Sequence, residues 1–232
     1  MAESSFKGYV LIGKESTWGT EATPSKDIGL VQNINMRETH DSEVHYAVGS
    51  RTGQKTVPKM FTIDGSVEVK FQHGRLLEYA IGSVSHAQTT SDWKHTFTVG
   101  TLPSFTMDDG INSTSDYVRR FLGCKVNSLT LSLGVGGVLM MSADLIAKTV
   151  KPETTALSGV ISTLPLLPHY QGHLFVGTAG GESEIGQVES WEVTFNNNLQ
   201  RIEGLNSRLI QDLPEKNAEY PFRFTMKFQD HN

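Results

Sequence analysis

Alternation of apolar and polar residues with a period of two constrains this chain more than any other feature. From Phe61 to Phe71 the odd positions Phe61, Ile63, Val67, Val69 and Phe71 are apolar, while Thr62, Asp64, Ser66, Glu68 and Lys70 are polar. Successive side chains of a strand point to opposite faces, so this pattern predicts a half-buried β-strand. The parity runs unbroken through Asp64-Gly65, so a single strand of about 36 Å is expected rather than a hairpin turn at that dipeptide.

The same period recurs at Trp93, His95, Phe97 and Val99, at Leu129, Leu131, Leu133 and Val135, at Trp191, Val193 and Phe195, and from Tyr220 through Phe222, Phe224 and Met226 to Phe228. A mainly β protein follows, and at 232 residues it can be a single domain spanning 1–232. Gly134-Val135-Gly136-Gly137 reads as a hairpin turn into a strand over Val138–Ala147, because glycine supplies the positive φ of tight turns. One short helix is expected over His73–Ile81, where Leu76, Leu77, Ala80 and Ile81 share a face and Gly82 provides a stop. A second turn of helix is expected near Ser115–Phe121. The stretch 37–60 has little apolar periodicity and reads as a long loop, 150–168 as a linker-like crossover, and Gly177–Gly186 as a further loop.

Composition closes off several functions. Twenty Lys and Arg against 25 Asp and Glu leave a net charge of −5, the wrong sign for a surface devoted to gripping nucleic-acid phosphates. Cys124 is the only cysteine, which excludes an intramolecular disulfide and a multi-cysteine zinc site, and a buried packing role is expected for it. Lys7 precedes only the short apolar run Tyr9–Ile12, and no stretch approaches membrane-spanning length, so synthesis in the cytosol is expected. Asn112-Ser113-Thr114 matches a glycosylation sequon but reads as a plain loop.

No catalytic set assembles, and neither a cofactor nor a metal is expected. Gly8 and Gly13-Lys14 have P-loop spacing, yet Glu15 stands where a magnesium-binding hydroxyl belongs and Tyr9–Ile12 are strand formers. His169 and His173 lack helical context and a third ligand. Asp108-Asp109-Gly110 lacks the spaced oxygens of a calcium loop and reads as a turn. Trp18, Trp93 and Trp191 would suit sugar stacking in a carbohydrate-binding β-sandwich, but their turn or alternating contexts read as core positions.

Gly13-x-Glu15-x-x-Trp18-Gly19-Thr20, followed by Pro24, resembles the N-terminal signature of tail tube proteins of long-tailed bacterial and archaeal viruses. Asp64-Gly65-Ser66-Val67, Leu76 to Gly82, Leu102-Pro103-Ser104-Phe105-Thr106 and the run Phe121 to Leu129 look like that family in the same order. The resemblance implies a β-sandwich or barrel-like subunit with one flanking helix, forming homohexameric rings that stack into a hollow tube in the virion tail. It implies no enzymatic activity. Viral DNA would pass through the lumen without specific binding, and tape-measure, tail-terminator and baseplate or tail-tip proteins would be partners. An inner tube of a contractile protein-injection system shares the architecture. The loop 37–60 would reach the adjoining ring, with Arg51, Lys55 and Lys59 as contact candidates. Asp64 and Glu68, on the polar face of the long strand, are candidates to face the lumen. Glu15 and Trp18 would brace the start of the subunit or its interface, and the polar ends Met1–Lys7 and Gln229–Asn232 would be ordered by neighbouring subunits.

Overall fold

A computed structural model describes residues 8–90, 92–111, 117–153, 155–157, 162–178 and 180–227. Its strands are β1 (Gly8–Lys14), β2 (Leu30–His45), β3 (Lys55–Lys70), β4 (Gly82–Thr89), β5 (Asp92–Val99), β6 (Phe105–Ile111), β7 (Tyr117–Gly134), β8 (Met140–Ala147), β9 (Thr149–Glu153), β10 (Phe175–Val176), β11 (Ser183–Glu184), β12 (Val188–Asn196) and β13 (Phe222–Met226). The helix α1 (Arg75–Ile81) lies where the sequence places one. Nine strands join in one antiparallel system, β1-β6-β7-β8-β3-β2, to which β9, β12 and β13 are attached through β7. It does not close into a barrel.

The long strand β7 is the axis. Its first half pairs with β6 on one side and β9 on the other, and its second half pairs with β8 and β12. Two wings therefore share one strand: β1-β6-β7-β9, and β13-β12-β7-β8-β3-β2. Apolar faces of both wings meet in a single core containing Ile12, Phe105, Met107 and Phe121 from the first, and Ile63, Val67, Val69, Leu129, Met141 and Leu145 from the second. Helix α1 closes one side with Leu76, Tyr79 and Ala80, and Tyr79 meets Phe105 edge to face. Burial drives this assembly, and each fully buried Leu, Ile or Phe contributes about 1.5–3 kcal/mol.

The alternation of Phe61–Phe71 lies within one strand, as expected, with Ile63, Val67 and Val69 buried and Glu68 exposed. Gly134–Gly137 is the expected turn, closed by the Gly137 N–H donating to the Gly134 carbonyl at 3.0 Å. Cys124 is buried in the core, as expected.

Several expectations are corrected. The stretch 37–60 is not an irregular loop: residues 37–45 belong to β2 and 55–60 to β3, and His45 pairs with Lys55 around a tip of nine residues. Below the Ile63–Ala147 pair no third strand joins it among the described residues, and residues 37–45 and 55–59 are exposed, so the sequence of the arm needs no apolar period. Within the expected second helix, Tyr117 to Phe121 open β7, because Arg119 and Arg120 face Asp109 and Asp108 across the β6 ladder. Asp108-Asp109-Gly110 is accordingly strand and not turn. Asp108 is fully buried, and Arg120 grips it through Nε and Nη2, both at 2.7 Å. The crossover 150–168 begins as the strand β9, and the loop 177–186 includes β11, which pairs with β10. The sequon at 112–114, Phe228 and both polar termini lie outside the described residues.

Gly65 shows how tightly β3 is held. A Cβ there would lie 2.2 Å from the Asn35 carbonyl oxygen and 2.7 Å from the Met36 Cα, both backbone atoms that move only if the β2–β3 register moves. Gly65→Val should therefore lower the unfolding free energy by about 2–3 kcal/mol, read as a lower denaturant midpoint. An unchanged midpoint would show that β2 is free to slide.

Candidate functional site

The segment that follows β1 holds a densely bonded buried side chain, Glu15. The Glu15 backbone N–H donates to the Ser104 carbonyl at 3.0 Å, which draws the residue alongside the start of β6. Its carboxylate is buried and accepts four hydrogen bonds. Oε1 takes the Gly123 N–H at 2.8 Å and the Thr106 hydroxyl at 2.9 Å, and Oε2 takes the Gly19 N–H at 2.8 Å and the Ser104 hydroxyl at 2.7 Å. A carboxylate out of water is tolerable when its lone pairs are filled in this way. Three segments distant in sequence are thus tied to one anion.

Trp18 completes the clamp. Its indole N–H donates to the Gly123 carbonyl at 3.0 Å, and the Lys148 ammonium lies 4.3 Å above its ring. Gly123 has φ +67° and marks the point where β7 carries an extra residue against β6, so both of its backbone polar groups leave the ladder and are taken up by Glu15 and Trp18. A Cβ on Gly123 would lie 2.8 Å from the Lys148 Cβ. Gly13 is equally confined, since a Cβ there would meet the Thr23 carbonyl at 2.5 Å. The turn over Gly19 and Thr20 is closed by the Thr20 N–H on the Thr17 carbonyl. Beside the clamp, burial first and the Glu15 charge second push the Cys124 thiol well above its ordinary pKa, which keeps it a neutral packing group.

The outer face of the second wing is a field of small polar residues. One row crosses five strands as Thr194, Thr130, Ser142, Glu68 and Asn33, and the next as Asn196, Ser128, Asp144, Ser66 and Asn35. Glu68 is exposed there. Asp64 lies on the same face, but its carboxylate is ion-paired with Arg201, a partner on the segment after β12 that no periodicity could have indicated.

The arm candidates separate. Arg51 is exposed at the tip and Lys55 at its base, whereas Lys59 is already ion-paired with Glu43 on the same arm. Exposed apolar groups accompany them, notably Tyr46 at 69% and Val48, fully exposed.

The second wing ends on β13 at one side and β2 at the other, and neither has a strand on its outer edge among the described residues. Phe222 and Phe224 of β13 continue the parity of Val193 and Trp191, yet remain 45% and 42% exposed. The core face therefore extends beyond what the described residues cover.

Reactive chemistry does not assemble. No group of three His, Cys, Asp or Glu is placed to hold a metal among the described residues. His173 is hydrogen-bonded to Glu184 and His169 begins a 3-10 turn. A cavity of about 770 Å³ opens between α1 and the β4–β5 hairpin; of its polar members, His73 Nε2 and Arg75 engage Asp27 and Glu78 engages Lys14, while the buried His73 Nδ1 has no hydrogen-bond partner among the described residues. The tryptophans lie on separate elements, and Trp93 is exposed on β5 rather than in the core, because that hairpin forms a two-stranded sheet apart from the main one. No helix is long and apolar enough to cross a membrane among the described residues.

A family model described as phage tail tube protein matches residues 5–232. No curated protein matches the chain. The match spans the clamp, the arm and both wings.

Glu15→Gln replaces one acceptor oxygen with an amide that faces two donors. The loss expected is about 3 kcal/mol of unfolding free energy, measured by denaturant titration, with Glu15→Ala no milder. A loss below about 1 kcal/mol would show that the turn holds without its anion.

Proposed function

This chain belongs to the phage tail tube protein family, structural components of the virion tail that assemble with copies of themselves into a tube, and from that premise we propose that it forms stacked hexameric rings whose channel delivers viral DNA. One observation carries the ring: among the described residues the second wing has two open edges, and its apolar face runs off the end of the core at β13. Pairing β13 of one copy with β2 of the next repeats head to tail, and six such steps close into a continuous sheet with no free edge. The partner would at the same time cover Phe222 and Phe224, a patch that isolated subunits have reason to hide.

In that arrangement the polar face of the second wing lines the channel. A surface of hydroxyls, amides and a few carboxylates lets DNA pass without holding it, because adhesion to nucleic acid comes chiefly from unpaired cations. Glu68 acts there as a repelling charge. The β2–β3 arm is free to reach the next ring, presenting Tyr46, Val48, Arg51 and Lys55, with Lys59 steadying it from within. Tape-measure protein within the tube, and terminator and baseplate or tip proteins at its ends, are the further partners of this reading, and synthesis and assembly take place in the host cytoplasm.

Negative-stain electron microscopy of the purified protein tests the assembly. Stacked hollow rings with six-fold symmetry are expected, and a monomer under all conditions would overturn it. Phe222→Ser with Phe224→Ser should leave the melting temperature within a few degrees and abolish rings. Lys55→Glu with Lys59→Glu should leave subunits folded and shorten the tubes, and tubes of normal length would remove the arm from the contact between rings.

A further inference from the structure

We propose that Asp64 is a mask: its pairing with Arg201 withholds a two-arginine phosphate-binding cleft, so that this face does not grip nucleic acid. The cleft opens on the polar face of the second wing and is lined by Asn35, Arg37, Ser66, Asn127, Asp144 and Arg201 around Asp64. It has a volume of about 460 Å³. Arg37 stands directly opposite Asp64 in the β2–β3 register, and Arg201 reaches Asp64 from the segment after β12. One carboxylate is therefore ion-paired with one arginine and shares the cleft with a second.

The donors in this cleft are those a phosphodiester accepts: two planar guanidinium forks, amide groups and a hydroxyl. Of its two carboxylates, Asp144 is occupied by the Ser128 hydroxyl at 2.6 Å. Asp64 is the one ion-paired with an arginine, Arg201. Arg201 is brought to this face by the segment that carries it, which covers the end of the wing where Ile210 and Leu213 pack on Ile146. Its charge is thus a by-product of closing the fold, and Asp64 neutralises it.

This differs from a general repulsion by acidic groups, and the difference can be read. Asp64 and Glu68 each contribute one negative charge on the same face of the same strand, but only Asp64 is paired with an arginine. The inference rests on the channel placement proposed above only for its biological consequence, so the first measurement is made on folded, unassembled subunits.

Binding of a short fluorescent DNA duplex is followed by polarisation as a function of salt, for the wild type, Asp64→Ala, Glu68→Ala and Asp64→Ala/Arg201→Ala. Asp64→Ala should bind about tenfold more tightly at low salt, with a logarithmic salt slope steeper by about one phosphate contact. Glu68→Ala should change little, and the double variant should return to the wild-type affinity. Equal tightening in Glu68→Ala, or tightening that persists without Arg201, would overturn the mask. Asp64→Asn, which keeps the side chain's size, should reproduce the effect and guards against misfolding. In assembled tubes the same substitution should retain DNA. Binding by subunits without retention by tubes would overturn the channel placement and leave the mask standing.

Discussion

The buried carboxylate of Glu15, with no cation paired to it among the described residues, ties the turn after β1 to β6 and to the bend of β7 from which both wings spread. Glu15 collects two backbone N–H groups and two hydroxyls from segments that are far apart in sequence. Its charge is spread over four dipoles. The carboxylate sits where β7 leaves one wing for the other, and the Gly123 bulge that permits this bend frees the N–H and carbonyl that Glu15 and Trp18 occupy. The bend and its clamp depend on each other, because an unfilled buried N–H at Gly123 would itself cost about 1–3 kcal/mol. The shared core and the attachment of β12 and β13 to the second half of β7 follow from that geometry.

Around this centre the chain satisfies itself thoroughly, and at its borders it does not. Asn197, nearly buried, donates from its side chain to the Ala80 and Val126 carbonyls, tying helix α1 to β7. Lys125 reaches the Leu213 carbonyl and Glu215. In contrast, the arm, the β4–β5 hairpin and β13 leave aromatic and branched side chains in water. A monomeric protein would be expected to cover such groups. Their distribution along open strand edges suits a subunit whose surface is completed by copies of itself.

Much of the fold was legible because period two is a local signal. Ile63, Val67 and Val69 announce a buried face without reference to any partner, and Gly134 to Gly137 announce a turn. What stayed hidden depends on pairing across distance. The 37–60 stretch carries no apolar period because both faces of the arm are wet, so a strand there looks like a loop. Asp108-Asp109-Gly110 has turn composition, and only its opposition to Arg119 and Arg120 makes it strand. The motif from Gly13 to Thr20 could be recognised, and Glu15 stood out for spoiling a phosphate loop, but three of its four donors come from Ser104, Thr106 and Gly123, which only the folded chain brings to it. Asp64 was readable as a polar-face residue, while its bond to Arg201 was not.

The brevity of β13 has a consequence for how growth would be controlled. Five residues offer few backbone groups for pairing, and short edges are one way in which natural sheets discourage uncontrolled addition. In an assembly built as proposed, a contact between two free copies would be brief, and only a closed ring would satisfy every edge at once. Assembly of such a subunit would be slow to start and quick once a first ring has closed, so the place where polymerisation begins would matter as much as the concentration at which the protein is made.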